Sequence, residues 1–315
     1  MWHPMASIRT LLLIILVVLV AIEFAWQQIG HFSVDVRLYG AIMFLFLAFM
    51  AGAYFYDRVR KNSCISSLLF GLGFIFASAA SLNIINYLGL TVAGSRVDDL
   101  LAAMDRAIGV DWPALMRFAA AHPRFNMILL VAYKLSVWQV TILLILLGWK
   151  DRNGTIEQLC LALITSGLIT VGTWILFPSF GAITVYGLPQ AVAERLPLSL
   201  NLDYARALLY LQAHGPGFIS PATIKGLVGF PSFHTAQAIV VAWYARKLGV
   251  LFYPFMMFNI LVVASTPIQG GHHVVDVIAG VAVAAFAIWL ANRVASRLIS
   301  EAPGDPAMVP SAAVS

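Results

Sequence analysis

His272 and Asp276 stand four residues apart in Gly270-Gly271-His272-His273-Val274-Val275-Asp276, and His234 opens an apolar run after Pro231-Ser232-Phe233. On a helix a spacing of four puts both side chains on one face, so the carboxylate accepts a hydrogen bond from one ring nitrogen of His272. That bond fixes the tautomer and raises the basicity of the other nitrogen. A neutral imidazole held this way is a competent nucleophile toward phosphorus, and the carboxylate stabilises the cation formed on attack. His234, with an ordinary imidazole pKa near roughly 6.5, is suited to protonating the departing oxygen close to neutral pH. Helix starts at both clusters offer backbone N–H groups to an anion.

These polar residues lie in an oily chain. Of its 315 residues 61% are hydrophobic and 10% charged, and the mean hydropathy is +0.89, which leaves too little polar surface for a soluble domain. Apolar runs long enough to cross about 30 Å of hydrocarbon recur along the whole length. They predict spans near 10–28, 38–56, 66–89, 126–148, 156–177, 233–247, 250–266 and 272–294, an all-α polytopic bundle of about eight transmembrane helices. The sixth and seventh are short and separated by Arg246-Lys247-Leu248-Gly249, so they also read as one tilted pair. Arg9 precedes the first run as in a signal peptide, but no small-residue cleavage site follows, and it is kept as a helix.

Orientation follows from Lys and Arg near the span ends. With the N-terminus inside, Arg9, Arg58, Arg60, Lys61, Lys150, Arg152, Arg246, Lys247, Arg293 and Arg297 fall on the cytoplasmic side. The C-terminus is then cytoplasmic too, and His234, His272 and Asp276 share one depth near the extracytoplasmic surface. The remaining loop cations, among them Arg195 and Lys225, lie mostly in two outer segments, 94–124 and 178–232, mixed with Asp98, Asp99, Asp105, Asp111, Glu194 and Asp203. Within the first, 98–109 reads as an amphipathic helix at the interface; the second, punctuated by Pro178, Pro189, Pro197, Pro216 and Pro221, reads as a lid or a structured surface loop. A pI near 9.3 is explained by this topology and by anionic lipid, with no nucleic acid partner. Cys64 and Cys160 have no metal-like spacing, and the tail 297–315 reads as disordered.

The order Pro231-Ser232-x-His234, then Ser265-x6-His272-x3-Asp276, resembles the type 2 phosphatidic acid phosphatase superfamily of lipid phosphatases and phosphotransferases. The texture Phe-Pro-Ser-Phe-His and Gly-Gly-His-His-Val-Val-Asp is more similar to the branch containing inositolphosphorylceramide synthase and its bacterial relatives. The resemblance implies a six-helix phosphatase-like core over 66–296, preceded by N-terminal transmembrane helices in 1–65. It implies a phosphohistidine on His272, oriented by Asp276, with His234 as general acid and then base. The substrate would be a phospholipid or polyprenyl phosphate, the acceptor water or an alcohol, and no cofactor is needed.

Departures from the family pattern are specific. The phosphatase branch has Ser-Arg where this chain has Ser265-Thr266, and the upstream Lys-x6-Arg-Pro element keeps only Lys134, with Thr141 and Ile142 at the other positions. Lys134 is therefore the expected phosphate-binding cation, or else pairs with a membrane acid such as Glu23. Ser232 and Ser265 are expected to meet phosphate or cap helices, Gly270 and Gly271 to admit the phosphate or make a tight turn, Gln237 to contact substrate or cross-link helices, and His273 to be a binding neighbour. Two other classes compete: a transporter using intramembrane His, Asp and Lys as a relay, and a metal site built from His234, His272, His273 and Asp276.

Overall fold

The computed structural model describes residues 4–30, 32–149, 154–188, 192, 196–199, 202–223 and 225–300. Lys150, Arg152, Pro189, Glu194, Arg195 and the tail beyond residue 300 lie outside the described residues. Thirteen α-helices are described: α1 (Pro4–Gly30), α2 (Val36–Arg58), α3 (Ser63–Gly89), α4 (Asp98–Ala107), α5 (Trp112–Ala121), α6 (Pro123–Leu135), α7 (Trp138–Gly148), α8 (Thr155–Leu176), α9 (Ile183–Tyr186), α10 (Leu202–His214), α11 (Phe233–Ala245), α12 (Phe252–Gln269) and α13 (Val274–Ser300). Two-residue strands β1 (Ser33–Val34) and β2 (Phe218–Ile219) pair in parallel. The protein is an all-α polytopic bundle.

Local chemistry sets several boundaries. Asp35, Asn62, Asp111 and Ser232 cap α2, α3, α5 and α11, each side chain accepting from a backbone N–H three residues on. Pro123 starts α6, where its missing N–H costs nothing. Six helical runs are long and apolar enough to cross a membrane, and α6 with α7, bent by 59°, makes a seventh. One of the six, Phe233–Gln269, has 37 residues and would extend about 55 Å if straight. Its ends instead bring the rings of His234 and His272 to 6.5 Å. The turn is at Gly249, whose φ of 66° suits a residue without Cβ. The run is a hairpin, α11 and α12 packed side by side, and the expected sixth and seventh spans are its two arms.

The expected fourth span, 126–148, is broken. Between α6 and α7 the Ser136 hydroxyl donates to the Tyr133 carbonyl at 2.6 Å, and the Gln237 amide donates to the Ser136 carbonyl at 2.8 Å. A side chain from α11 thus takes over a carbonyl released at the bend.

The core is built from α3, α7, α8, α11 and α13, with Leu143, Leu144, Ile156, Leu159, Val240, Ala284, Ala287 and Ala291 at its centre. Alanines let α13 approach closely, as in lipid-embedded helix contacts. On α2 most side chains are exposed, with apolar ones such as Phe44, Leu47 and Tyr54 among them, so this helix presents a lipid face. At the end away from His234, Arg9 bonds Glu157 at the start of α8 and the hydroxyls of Ser66 and Ser67 on α3. The opposite end is covered by the two outer segments.

Candidate active site

α11, the turn after α12 and the start of α13 converge at that covered end. Ser232 is fully buried and caps α11, its hydroxyl accepting from the Thr235 N–H at 3.3 Å. This places His234 in the first turn of α11, where its ring stacks on Tyr133 of α6 at 4.4 Å. Across from it, Nδ1 of His272 lies 3.2 Å from Oδ2 of Asp276. The same carboxylate oxygen accepts from the His273 N–H at 2.9 Å, while Oδ1 has no partner among the described residues. The spacing of four therefore pairs the two side chains, although His272 itself precedes the helix.

Gly270 and Gly271 make that arrangement possible. A Cβ on Gly270 would come within 2.7 Å of the His272 ring and 2.8 Å of the Thr266 carbonyl. Gly271 has φ of 62°, and a Cβ there would strike Ile183. Burial pushes the His272 imidazole down to about 4, against an opposing backbone hydrogen bond at Gly229 and with a smaller contribution from His273. His272 is thus neutral near pH 7.

His234 and His272 open into one cavity of about 330 Å³, shared with Tyr133, Tyr204, Lys225 and Gly270 among others. A group held roughly 3–3.5 Å from each imidazole fits between two rings so placed. A separate groove of about 530 Å³ runs between α11 and α12, with Ala238, Trp243 and Met256 in its walls and no histidine or carboxylate. The candidate site residues His234 and His272 line the first.

Other expected site residues are placed differently. Lys134 is exposed on α6 and does not line the cavity; it makes no ion pair with Glu23, whose carboxyl is near Ser81. It follows Tyr133, the residue that does face inward, and one helical step turns it about 100° away. The Ser265 hydroxyl is buried and donates to the Val262 carbonyl at 2.6 Å, and Gln237 braces the α6–α7 bend. His273 is fully buried, its ring nitrogens 3.7 Å from Asp98 and 3.6 Å from Asp105. The four residues of the metal alternative do not converge, since His273 turns to this acidic pair and away from the His234–His272 cavity.

Asp98 and Asp105 fall on the amphipathic helix expected over 98–109, but neither was expected at the site. They lie seven residues apart on the inner stripe of α4 with Leu101 and Ala102, whereas Leu100, Met104 and Ile108 form its exposed apolar stripe. Asp98 accepts from the Ser179 hydroxyl and from the N–H groups of Phe180 and Gly181. Asp105 accepts from the N–H groups of Val274 and Val275, each at 2.9 Å. It is therefore an N-cap for α13 supplied from 169 residues away in sequence. The signal that could have found them was the seven-residue spacing on one helical face.

A family model of the PAP2 superfamily matches residues 99–290, more than half of the chain. The chain belongs to the PAP2 superfamily. The matched stretch runs from α4 into α13 and contains Asp105, His234, His272 and Asp276 but not Asp98. No curated protein and no solved structure matches. As a PAP2 superfamily member with six or seven membrane-length runs, it is an integral multi-pass membrane protein.

Proposed function

We propose that this PAP2 superfamily protein is a lipid phosphatase/phosphotransferase that works through a phosphohistidine at His272, with its cavity opening on the extracytoplasmic side. The observation that carries the reading is the His272–Asp276 pair facing His234 across one cavity. A neutral His272 nitrogen attacks phosphorus, and the bond from phosphorus to the leaving oxygen breaks. Protonated His234 gives its proton to that oxygen, and Asp276 balances the charge arising on His272. In the second half-reaction water or an alcohol attacks phosphorus, His234 takes the proton released, and the nitrogen–phosphorus bond breaks.

The donor in this proposal is a phospholipid or polyprenyl phosphate. The texture around both histidines resembles the inositolphosphorylceramide synthase branch, which favours an alcohol as one acceptor. The sidedness is supported by Arg9 and Glu157 marking the end of the bundle remote from the histidines. The transporter alternative requires a midplane relay, whereas this cluster sits at helix ends.

The test is to incubate purified protein with phosphatidic acid, phosphatidylinositol and a polyprenyl phosphate, with and without alcohol acceptors, following phosphate release and new lipids by mass spectrometry. His272→Ala should abolish both products. Near-normal turnover in that variant, with loss in His273→Ala, would show that the nucleophile is misassigned.

A further inference from the structure

The PAP2 superfamily arginines expected to clamp phosphate are replaced here by Thr266 and Thr141, and Lys134 faces away. Among the described residues lining the cavity of His234 and His272, one carries a fixed positive charge, Lys225. Its backbone is held from two sides. The Lys225 N–H donates to the Tyr87 hydroxyl at the end of α3 at 2.5 Å, and the next carbonyl, Gly226, accepts from the Tyr204 hydroxyl of α10 at 2.6 Å. Burial pushes the Tyr204 phenol up, so that hydroxyl remains a donor. The Lys225 ammonium lies over the Tyr204 ring, 5.1 Å from its centre, an aromatic face that attracts a cation without neutralising it. Among the described residues no carboxylate lines this cavity beside Lys225.

We propose that Lys225 is the anion-binding residue of this cavity, its ammonium holding the non-bridging oxygens of a single phosphate group presented to His272. The assignment rests on the function proposed above and names a positively charged partner for its substrate. A preorganised ammonium facing a cavity without a carboxylate is matched to a phosphate of a lipid headgroup and, by the same chemistry, to free inorganic phosphate.

The experiment compares wild type, Lys225→Met and Lys225→Arg in mixed micelles of phosphatidic acid, together with His272→Ala and the double variant His272→Ala/Lys225→Met. Turnover is measured with inorganic phosphate as competitor, and phosphate binding to the two His272→Ala proteins is followed by phosphorus NMR line broadening. Expected are a rise in KM of about tenfold or more for Lys225→Met, an equal weakening of phosphate inhibition, recovery to within about threefold in Lys225→Arg, and phosphate binding in His272→Ala that the double variant loses. Unchanged KM and unchanged inhibition in Lys225→Met overturn the proposal. So does a KM effect without a matching effect on free phosphate, which would put Lys225 on another part of the lipid. If wild type turns over no phospholipid while His272→Ala binds phosphate through Lys225, the enzymatic reading fails and the anion site stands.

Discussion

At the residue scale the arrangement makes a pH prediction. His272 has its pKa lowered to about 4 by burial, so its neutral, nucleophilic form persists below the ordinary histidine range. The acid limb of kcat/KM attributable to this group should lie well below pH 6.5, toward 4, and a pH–rate profile against a non-titrating substrate checks it. The linkage has the same sign. A group whose folded pKa is depressed takes up protons more readily when unfolded, so stability is lost as pH falls from about 6.5 toward 4. Asp276→Asn should keep the shape and lower kcat by roughly 10²–10⁴-fold, since the amide neither fixes the tautomer nor balances the imidazolium; single-turnover kinetics would show the loss in the phosphorylation step. Gly270→Ala should drive its methyl into the His272 ring and the Thr266 carbonyl. Activity should fall by at least tenfold while the protein stays folded, as read by thermal unfolding beside turnover.

At the element scale, α13 owes its start to α4. Asp105 caps Val274 and Val275, and with Asp98 it encloses His273. Asp105→Asn should destabilise by about 1–3 kcal/mol, from lost charge-assisted hydrogen bonds to buried groups, and should raise hydrogen exchange in the first turn of α13. This element also shows where sequence reasoning succeeds and stops. The apolar runs foretold α1, α2, α3, α8 and α13, because burial in lipid writes itself as uninterrupted hydrophobicity. The helical spacing also located α4, and the expected His272–Asp276 contact forms although His272 precedes α13. Hydrophobicity could not show that 126–148 breaks at Ser136, since the break depends on Gln237 from a helix 101 residues away. Nor could it show which loop acids turn inward, or that Tyr133 and Lys225, and not Lys134, face the cavity. Those choices are made by tertiary partners and by one-residue rotations around a helix, to which composition is blind.

Across the whole molecule the two ends divide the labour. Arg9 and Glu157 form an ion pair at 2.7 Å in which Arg9 is partly and Glu157 fully buried. Removing one partner leaves an uncompensated charge, so Arg9→Met should cost about 3–5 kcal/mol and lower thermal stability in detergent. KM should stay unchanged, because the pair lies at the end of the bundle remote from the cavity. A changed KM would mean that the two ends are energetically coupled.

The hairpin turned at Gly249 has a mechanical consequence. His234 and the turn bearing His272 are the tips of a pair of tongs whose pivot lies at the far end of α11 and α12. A bilayer too thin or too thick for these arms strains them by tilt, at fractions of a kcal/mol per ångström, and strain at a pivot appears at the tips as a change in spacing. Turnover reconstituted in bilayers of graded acyl length should therefore pass through an optimum, and Gly249→Ala, which stiffens a positive-φ pivot, should shift it. Membrane thickness then becomes a physical input to the distance between two imidazoles.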